Sequence, residues 1–133
     1  MKSTFADSFY FMAMLNGNDK AHDRAMAVPD QLAGRLVTTE FVLLEVADAY
    51  ADPADRAAFL ELFEELKVDP KVMVESASSD LLRAGLDLYR RRPDKEWSLT
   101  DCISFVVMQR HSISESLTGD HHFEQAGFVA LLK

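Results

Sequence analysis

Cysteine is almost missing from this chain: Cys102 is the only one among 133 residues, so no disulfide framework can form within it. That thiol adjoins the apolar run Ile103 to Met108 and reads as a small buried hydrophobe in a reducing compartment. No run approaches the ~20 apolar residues of a membrane span. The opening Met1-Lys2-Ser3-Thr4-Phe5-Ala6-Asp7 also lacks the long apolar stretch of a secretory signal. These absences predict a cytoplasmic protein that does not enter a membrane. Repeats, linkers and low-complexity segments are missing too, which predicts one domain over 1–133. The histidines His22, His111, His121 and His122 are scattered without zinc-ligand spacing, and surface or capping roles suit them. A basic excess is lacking as well, with 22 acids against 14 Lys and Arg and a net charge of −8. Alone, that balance argues against a nucleic-acid surface. Clustered carboxylates contribute to it, however, and divalent cations held by such a cluster reverse its local sign.

What is present suits a soluble globular chain: 48% hydrophobic and 27% charged residues, enough apolar material for a core without staples. Residues 4–9 begin as a short strand that stops at Asp7, and Ser8 to Leu15 continues with helical character. Asn16-Gly17-Asn18-Asp19 marks a turn, followed by a short helix from about Lys20 to Ala27 that ends before Pro29. Gly34 to Thr39 reads as a second strand, Glu40–Ala51 as a helix, and Ala54 to about Lys67 as another helix opened by Pro53. On that helix Glu61, Glu64 and Glu65 form a solvated face. Val68 to Glu75 is a strand candidate interrupted by Pro70, and a helix starting at Ser76 or Ser78 runs through Arg90 until Pro93 stops the chain. The most apolar helix spans roughly Leu99 to Arg110. Ser114 to Thr118 and Phe128 to Leu132 are the last strands, with Gly119-Asp120 a turn between them. Strands alternating with helices predict an α/β fold around a mainly parallel sheet.

Four acids stand out. Asp7 ends the first strand, where open α/β sheets bind ligands, although an Asp there also caps a following helix. Glu45 has Phe41, Val42 and Ala49 as its helical neighbours and lies between Leu44 and Val46. A carboxylate on such a face is costly unless it pairs with a cation, either an arginine or a metal. Asp101 starts the apolar helix three residues after Ser98, a spacing that fits a capping box and places the acid in the field of a helix N-terminus. Asp120 follows Thr118-Gly119 just beyond a strand end, as either a site acid or a turn and cap residue. Together these acids could meet at one edge of the sheet. Their mutual repulsion would raise some pKa values unless cations neutralise them, and an oxygen-only set suits Mg2+ or Mn2+.

The segments around these acids resemble those of the PIN-domain nucleases, and within them the VapC-type toxins of bacterial and archaeal toxin–antitoxin pairs. The resemblance lies in Phe5-Ala6-Asp7-Ser8-Phe9 and in Thr38-Thr39-Glu40-Phe41-Val42-Leu43-Leu44-Glu45-Val46. It continues through Trp97-Ser98-Leu99-Thr100-Asp101-Cys102-Ile103-Ser104-Phe105 and Leu117-Thr118-Gly119-Asp120-His121-His122-Phe123, extending to Phe128. It implies a PIN-like fold with the acids at the C-terminal edge of the sheet. By resemblance Asp7, Asp101 and Asp120 would hold one or two Mg2+ or Mn2+ ions, and Glu45 would complete or orient the site. Ser8 would orient Asp7, and Thr118 would support Asp120. The implied activity is metal-dependent cleavage of single-stranded RNA, with an antitoxin protein as partner. Two features depart from the pattern: Asp7-Ser8-Phe9 replaces the commoner Asp-Thr-Ser while keeping a hydroxyl, and the chain is acidic for an RNA-binding surface.

Other residues carry two readings each. Arg91, Arg92 and Lys95 could contact RNA phosphates, or, with Arg90, complement the dipole of the helix ending before Pro93. Trp97 reads as a packing anchor. Phe59, Leu62 and Phe63 either pack a homodimer or face the core. A receiver-type regulatory domain also gathers acids at strand ends, but it wants a second acid beside the first and a late strand-end lysine. Asp7 has no acidic neighbour, and the only late lysine is Lys133. A PIN fold that binds RNA or protein without cutting is the remaining alternative.

Overall fold

A computed structural model describes residues 2–133. Its first strand, β1 (Ser3–Ala6), has Thr4, Phe5 and Ala6 buried in succession. Burial without alternation means that both faces are covered, as in a parallel sheet flanked by helices. The second strand, β2 (Arg35–Thr39), repeats this with Leu36, Val37, Thr38 and Thr39. With β3 (Val72–Glu75), β4 (Glu115–Leu117) and β5 (Val129–Ala130) they form one five-stranded, all-parallel sheet in the order β3-β2-β1-β4-β5. Seven helices connect and cover it: α1 (Ser8–Leu15), α2 (His22–Gln31), α3 (Glu40–Ala49), α4 (Arg56–Val68), α5 (Ser79–Arg91), α6 (Leu99–Arg110) and α7 (His121–Gln125). Among the described residues no helix is long and apolar enough to cross a membrane.

Several boundaries move from where the sequence places them. The second helix does not stop before Pro29 but runs to Gln31. Proline lies in its last turn, so the missing N–H removes one bond and the helix ends two residues later. The third strand does not begin at Val68, which closes α4 instead. The N–H of Asp69 bonds Glu65 O, and pairing starts only where Val72 meets Leu36. The last strand shrinks to two residues because β4 offers only Glu115 and Ser116 as partners. Glu61, Glu64 and Glu65 are exposed as expected.

The order of strands decides where a site can lie. From β1 the chain proceeds outward to β2 and β3, then returns to β1's other side with β4. This reversal leaves a crevice beyond the C-terminal ends of β1 and β4, the usual ligand position in open α/β sheets. An aromatic stack secures the surrounding helices. Phe123 of α7 lies edge-on to Phe105 of α6 (4.9 Å between centroids) and near Phe5 of β1 (6.5 Å), while Trp97 packs edge-on against Phe105 (5.0 Å). The sequence expectation of Trp97 as an anchor therefore agrees with its burial. On the far side of α6, Gly85 lets α5 approach closely: a Cβ there would lie 2.4 Å from Ile103 Cγ1.

Candidate active site

Asp7 occupies the N-cap position of α1, yet its carboxylate makes no capping bond. Instead Oδ2 accepts a hydrogen bond from Thr118 Oγ1 (2.9 Å) across the β1–β4 crevice. Only 4% of Asp7 is exposed. Ser8 begins α1, and its hydroxyl donates to Glu45 Oε1 on α3 (2.5 Å) while lying 3.5 Å from Asp7 Oδ1. A hydroxyl has one proton, so Glu45 receives the bond and Asp7 Oδ1 does not. Glu45 is half-buried, as its apolar neighbours predict.

Thr118 carries the connection onward. Its Oγ1 accepts from the N–H of Asp120 (3.0 Å), fixing the turn after β4. Gly119 is required there, since a Cβ would meet Phe9 Cζ at 2.6 Å. Asp120 caps α7, with Oδ1 accepting from the N–H of His122 (2.9 Å). His122 then turns its Nδ1 toward Asp101 Oδ2 (3.2 Å) and Asp120 Oδ1 (3.4 Å). Asp101 closes a full capping box at the start of α6: Ser98 N–H reaches its Oδ2 (3.2 Å), and its own N–H reaches Ser98 Oγ (3.0 Å). A polar chain thus runs Asp7–Thr118–Asp120–His122–Asp101, and Ser8, next to Asp7 in sequence, brings Glu45 alongside it. Residues from four helices and from the segments that follow β1 and β4 meet at one end of the sheet.

The electrostatics match this crowding. Burial pushes the Asp7 carboxyl up to about 7; the Thr118 hydroxyl opposes the rise, and the charges of Asp101 and Glu45 add to it. Burial also raises Asp101, with Asp120 adding to the rise and the Ser98 N–H and His122 opposing it. Among the described residues no Lys or Arg pairs with any of the four acids. The arginine partner that Glu45 might have had is therefore not found. The bonding is also lopsided. Asp7 Oδ2, Asp101 Oδ2 and Asp120 Oδ1 accept protein donors, whereas Asp7 Oδ1 has only the Ser8 hydroxyl at 3.5 Å and the other oxygens of Asp101 and Asp120 receive none among the described residues. Hard oxygen donors, buried and short of positive charge, fit a divalent cation such as Mg2+ or Mn2+.

The remaining candidates lie elsewhere. Arg92 forms a two-pronged pair with Asp94 (3.0 Å for each bond) and lies over the Trp97 ring at 5.2 Å. Lys95 reaches the same Asp94 (3.8 Å), and Arg91 leans on Asp87 O (3.4 Å). The groove lined by Arg92, Lys95 and Trp97 contains none of the four acids. Leu62 is buried in the core, so of the expected dimer residues only the half-buried pair Phe59 and Phe63 reaches the surface. Cys102 is buried, and burial drives its thiol up to about 11, which suppresses the reactive thiolate. His22 and His111 serve as ties to Ala13 O and Glu75. His122 is the residue that sequence reasoning missed as part of the site. Its two-residue spacing from Asp120, on the first turn of a helix, was the signal.

The profile of the PIN domain family matches residues 5–129. Among curated proteins, the 23S rRNA-specific endonuclease VapC20 of Mycobacterium tuberculosis is 26% identical over 125 residues, covering 94% of this chain and 95% of the relative. The crystal structure of Mycobacterium tuberculosis VapC20, a sarcin-ricin loop cleaving toxin, is similar with a TM-score of 0.87 at 24% identity. That match covers 98% of this chain and 99% of the other. FitAcB from Neisseria gonorrhoeae is similar with a TM-score of 0.67 at 17% identity, over 98% of this chain and 96% of that one. At these identities the two solved structures speak for the fold.

Proposed function

This chain belongs to the PIN-domain family, and we propose that it is a divalent-metal-dependent endoribonuclease, the VapC-type toxin of a toxin–antitoxin pair. The observation that carries this reading is the polar chain joining Asp7, Asp101 and Asp120, with Glu45 alongside, without a Lys or Arg to balance them. RNA as the substrate class is supported by the relative VapC20, which is named for 23S rRNA. A single-stranded stretch would let the scissile phosphate reach an acid set recessed beyond the sheet edge.

Asp7, Asp101 and Asp120 would hold one or two Mg2+ or Mn2+ ions, with Glu45 completing the site. Such a cation, when bound, supplies Lewis-acid activation of water and offsets charge on the phosphate. The protein's own part is positional. Thr118 donates to Asp7, favouring the ionised carboxylate that ligation requires. Ser8 fixes Glu45 beside it. Ser98 and His122 fix Asp101 at the head of α6. Arg92 and Lys95 would take RNA phosphates at a groove that Trp97 also lines, with Arg91 on the same stretch of chain. An antitoxin with a basic segment would complement the uncompensated acids. A homodimer contact fits the α3–α4 surface, where Leu44 and Leu60 are 59% and 58% exposed beside Phe59 and Phe63. We place this activity in the cytoplasm, where its RNA substrate resides.

The test is RNA cleavage by purified protein with Mg2+, Mn2+ or EDTA. Asp101→Asn keeps an acceptor for the Ser98 N–H, so α6 and the far-UV circular dichroism should survive. Cleavage should fall about a hundredfold or more, the scale of removing a charge-stabilising group from a reaction centre. Undiminished cutting by this variant, or by the wild type in EDTA, would overturn the assignment.

A further inference from the structure

We propose that His122 is a positioning residue of the metal site: its Nδ1–H holds one oxygen of Asp101 while its backbone N–H holds one of Asp120, and so fixes which oxygen each presents to a cation. This rests on the metal-dependent reading above and adds a role for a side chain outside the acid set.

The geometry assigns the proton first. Nδ1 lies 3.2 Å from Asp101 Oδ2 and 3.4 Å from Asp120 Oδ1. Both neighbours are carboxylate oxygens, which only accept, so Nδ1 must donate. The same two oxygens are those already engaged by backbone N–H groups. Ser98 N–H holds Asp101 Oδ2, and the N–H of His122 itself holds Asp120 Oδ1. Asp101 Oδ2 therefore has both a backbone donor and the imidazole donor, while Asp120 Oδ1 has its backbone donor and lies 3.4 Å from the same ring nitrogen. Asp101 Oδ1 and Asp120 Oδ2 are left without a protein donor among the described residues. His122 thereby joins an acid at a helix start to one beyond a strand end, 19 positions apart in sequence (101 to 120).

The ring is held in place for this. Its side chain is only 19% exposed. The next residue, Phe123, is fully buried against Phe105 and Phe5 and anchors the short helix. His121 supplies the contrast. Its side chain is 65% exposed, and its Nδ1 stands 3.6 Å from Asp120 Oδ1, without a recorded contact to Asp101. Ligand atoms of Asp120, His121 and His122 do lie within 4.8 Å of one another, so a site using both imidazoles directly is the rival to be tested.

The probe is Mn2+ alone, titrated into the full chain without RNA and followed by the free-ion electron paramagnetic resonance signal. Wild type should bind. His122→Ala should weaken binding by roughly 10- to 100-fold, the scale seen when a group orienting a metal ligand is lost. His122→Asn places an amide N–H close to where Nδ1–H stood and should recover most of that affinity. His122→Gln, whose amide reaches the distal position of the ring, should not. His121→Ala should leave binding unchanged. Because Asn keeps a polar, folded α7, misfolding of the Ala variant cannot stand in for the predicted pattern. Equal binding by wild type and His122→Ala overturns the proposal, as does failure of Asn to exceed Ala. Loss of binding in His121→Ala, or nitrogen hyperfine coupling from imidazole to bound Mn2+, would show direct ligation instead and also overturn it. Wild type that binds no Mn2+ at all defeats the metal-site reading itself.

Discussion

Asp94, between α5 and α6, and Asp7, at the end of β1, carry the same carboxyl group in opposite settings. Asp94 is exposed, and Arg92 grips both of its oxygens while Lys95 stands nearby; the guanidinium hydrogen bonds hold its pKa at about 2. Asp7 is buried against a threonine, and burial lifts it to about 7. The Asp94 pair lies only a few residues in the chain from another of the site acids, since Arg92 covers Trp97 and the next residue, Ser98, caps the helix of Asp101. Cations were therefore at hand, and the fold directs them to a surface aspartate where an ion pair contributes little to stability. The sheet-edge acids keep their charge problem. What relieves it is best supplied by a bound ion, which a reaction can use and an arginine would displace.

The contrast breaks most severely at Asp7. Asp7→Asn should lower metal-dependent RNA cleavage about a hundredfold or more, because a ligand charge is lost. The same variant should melt at a higher temperature than wild type in metal-free buffer at pH 8. Its amide has no charge to desolvate and still accepts from Thr118. Parallel loss of activity and stability would contradict the uncompensated-charge account.

A smaller effect follows from pH. An unfolded aspartate titrates near 3.8 and folded Asp7 near 7, so between those values the folded protein keeps a proton that the unfolded chain releases. Stability from this group is full below the lower value and is lost as pH rises through about 7, by a few kcal/mol at roughly 1.4 kcal/mol per pH unit. Asp101 moves in the same direction. Calorimetry in EDTA from pH 4 to 8 should show this decline, and Asp7→Asn should flatten it. Mg2+ or Mn2+ should raise the melting temperature more at pH 8 than at pH 5, because a ligated carboxylate must be ionised.

The smallest effect belongs to the surface pair. Arg92→Ala should leave the melting temperature unchanged while raising KM for RNA at constant kcat. It should also reduce the salt dependence of binding by about one counterion. A fall in kcat would move Arg92 into the reaction centre and erase the distinction between the two regions.

The α/β class was legible because hydrophobic periodicity switches repeatedly along the chain, and the strand-end placement of Asp7 needed only the stop after Ala6. Glu45 was legible from Phe41, Val42 and Ala49, which made a solvated carboxylate improbable on that face. Ser98 and Asp101 were read as a capping box and are one; the box and the site share the same carboxylate oxygen. Local pattern misled at Pro29, where position within the last turn outweighs the breaker, and at Val68, where the length of β2 decides where β3 can begin. The contact of His122 with Asp101, unlike its spacing from Asp120, was beyond reach for another reason. Nothing near Asp120 announces that α6 begins beside α7, a proximity set by Phe105 meeting Phe123.

The bond from Thr118 to Asp7 spans 111 positions, and this has a consequence for the timing of synthesis. A chain leaving the ribosome makes β1 first, but β1 remains open on one side until residues 115–117 emerge. The turn that seats Gly119 against Phe9 and brings Asp120 and His122 into place follows only after that. A product broken off between Arg110 and Leu117 keeps Asp7, Glu45, Asp101 and six of the seven helices, yet has no crevice to bring the acids together. The capacity we assign to the site is thus acquired only after β4 and the turn through His122 have emerged.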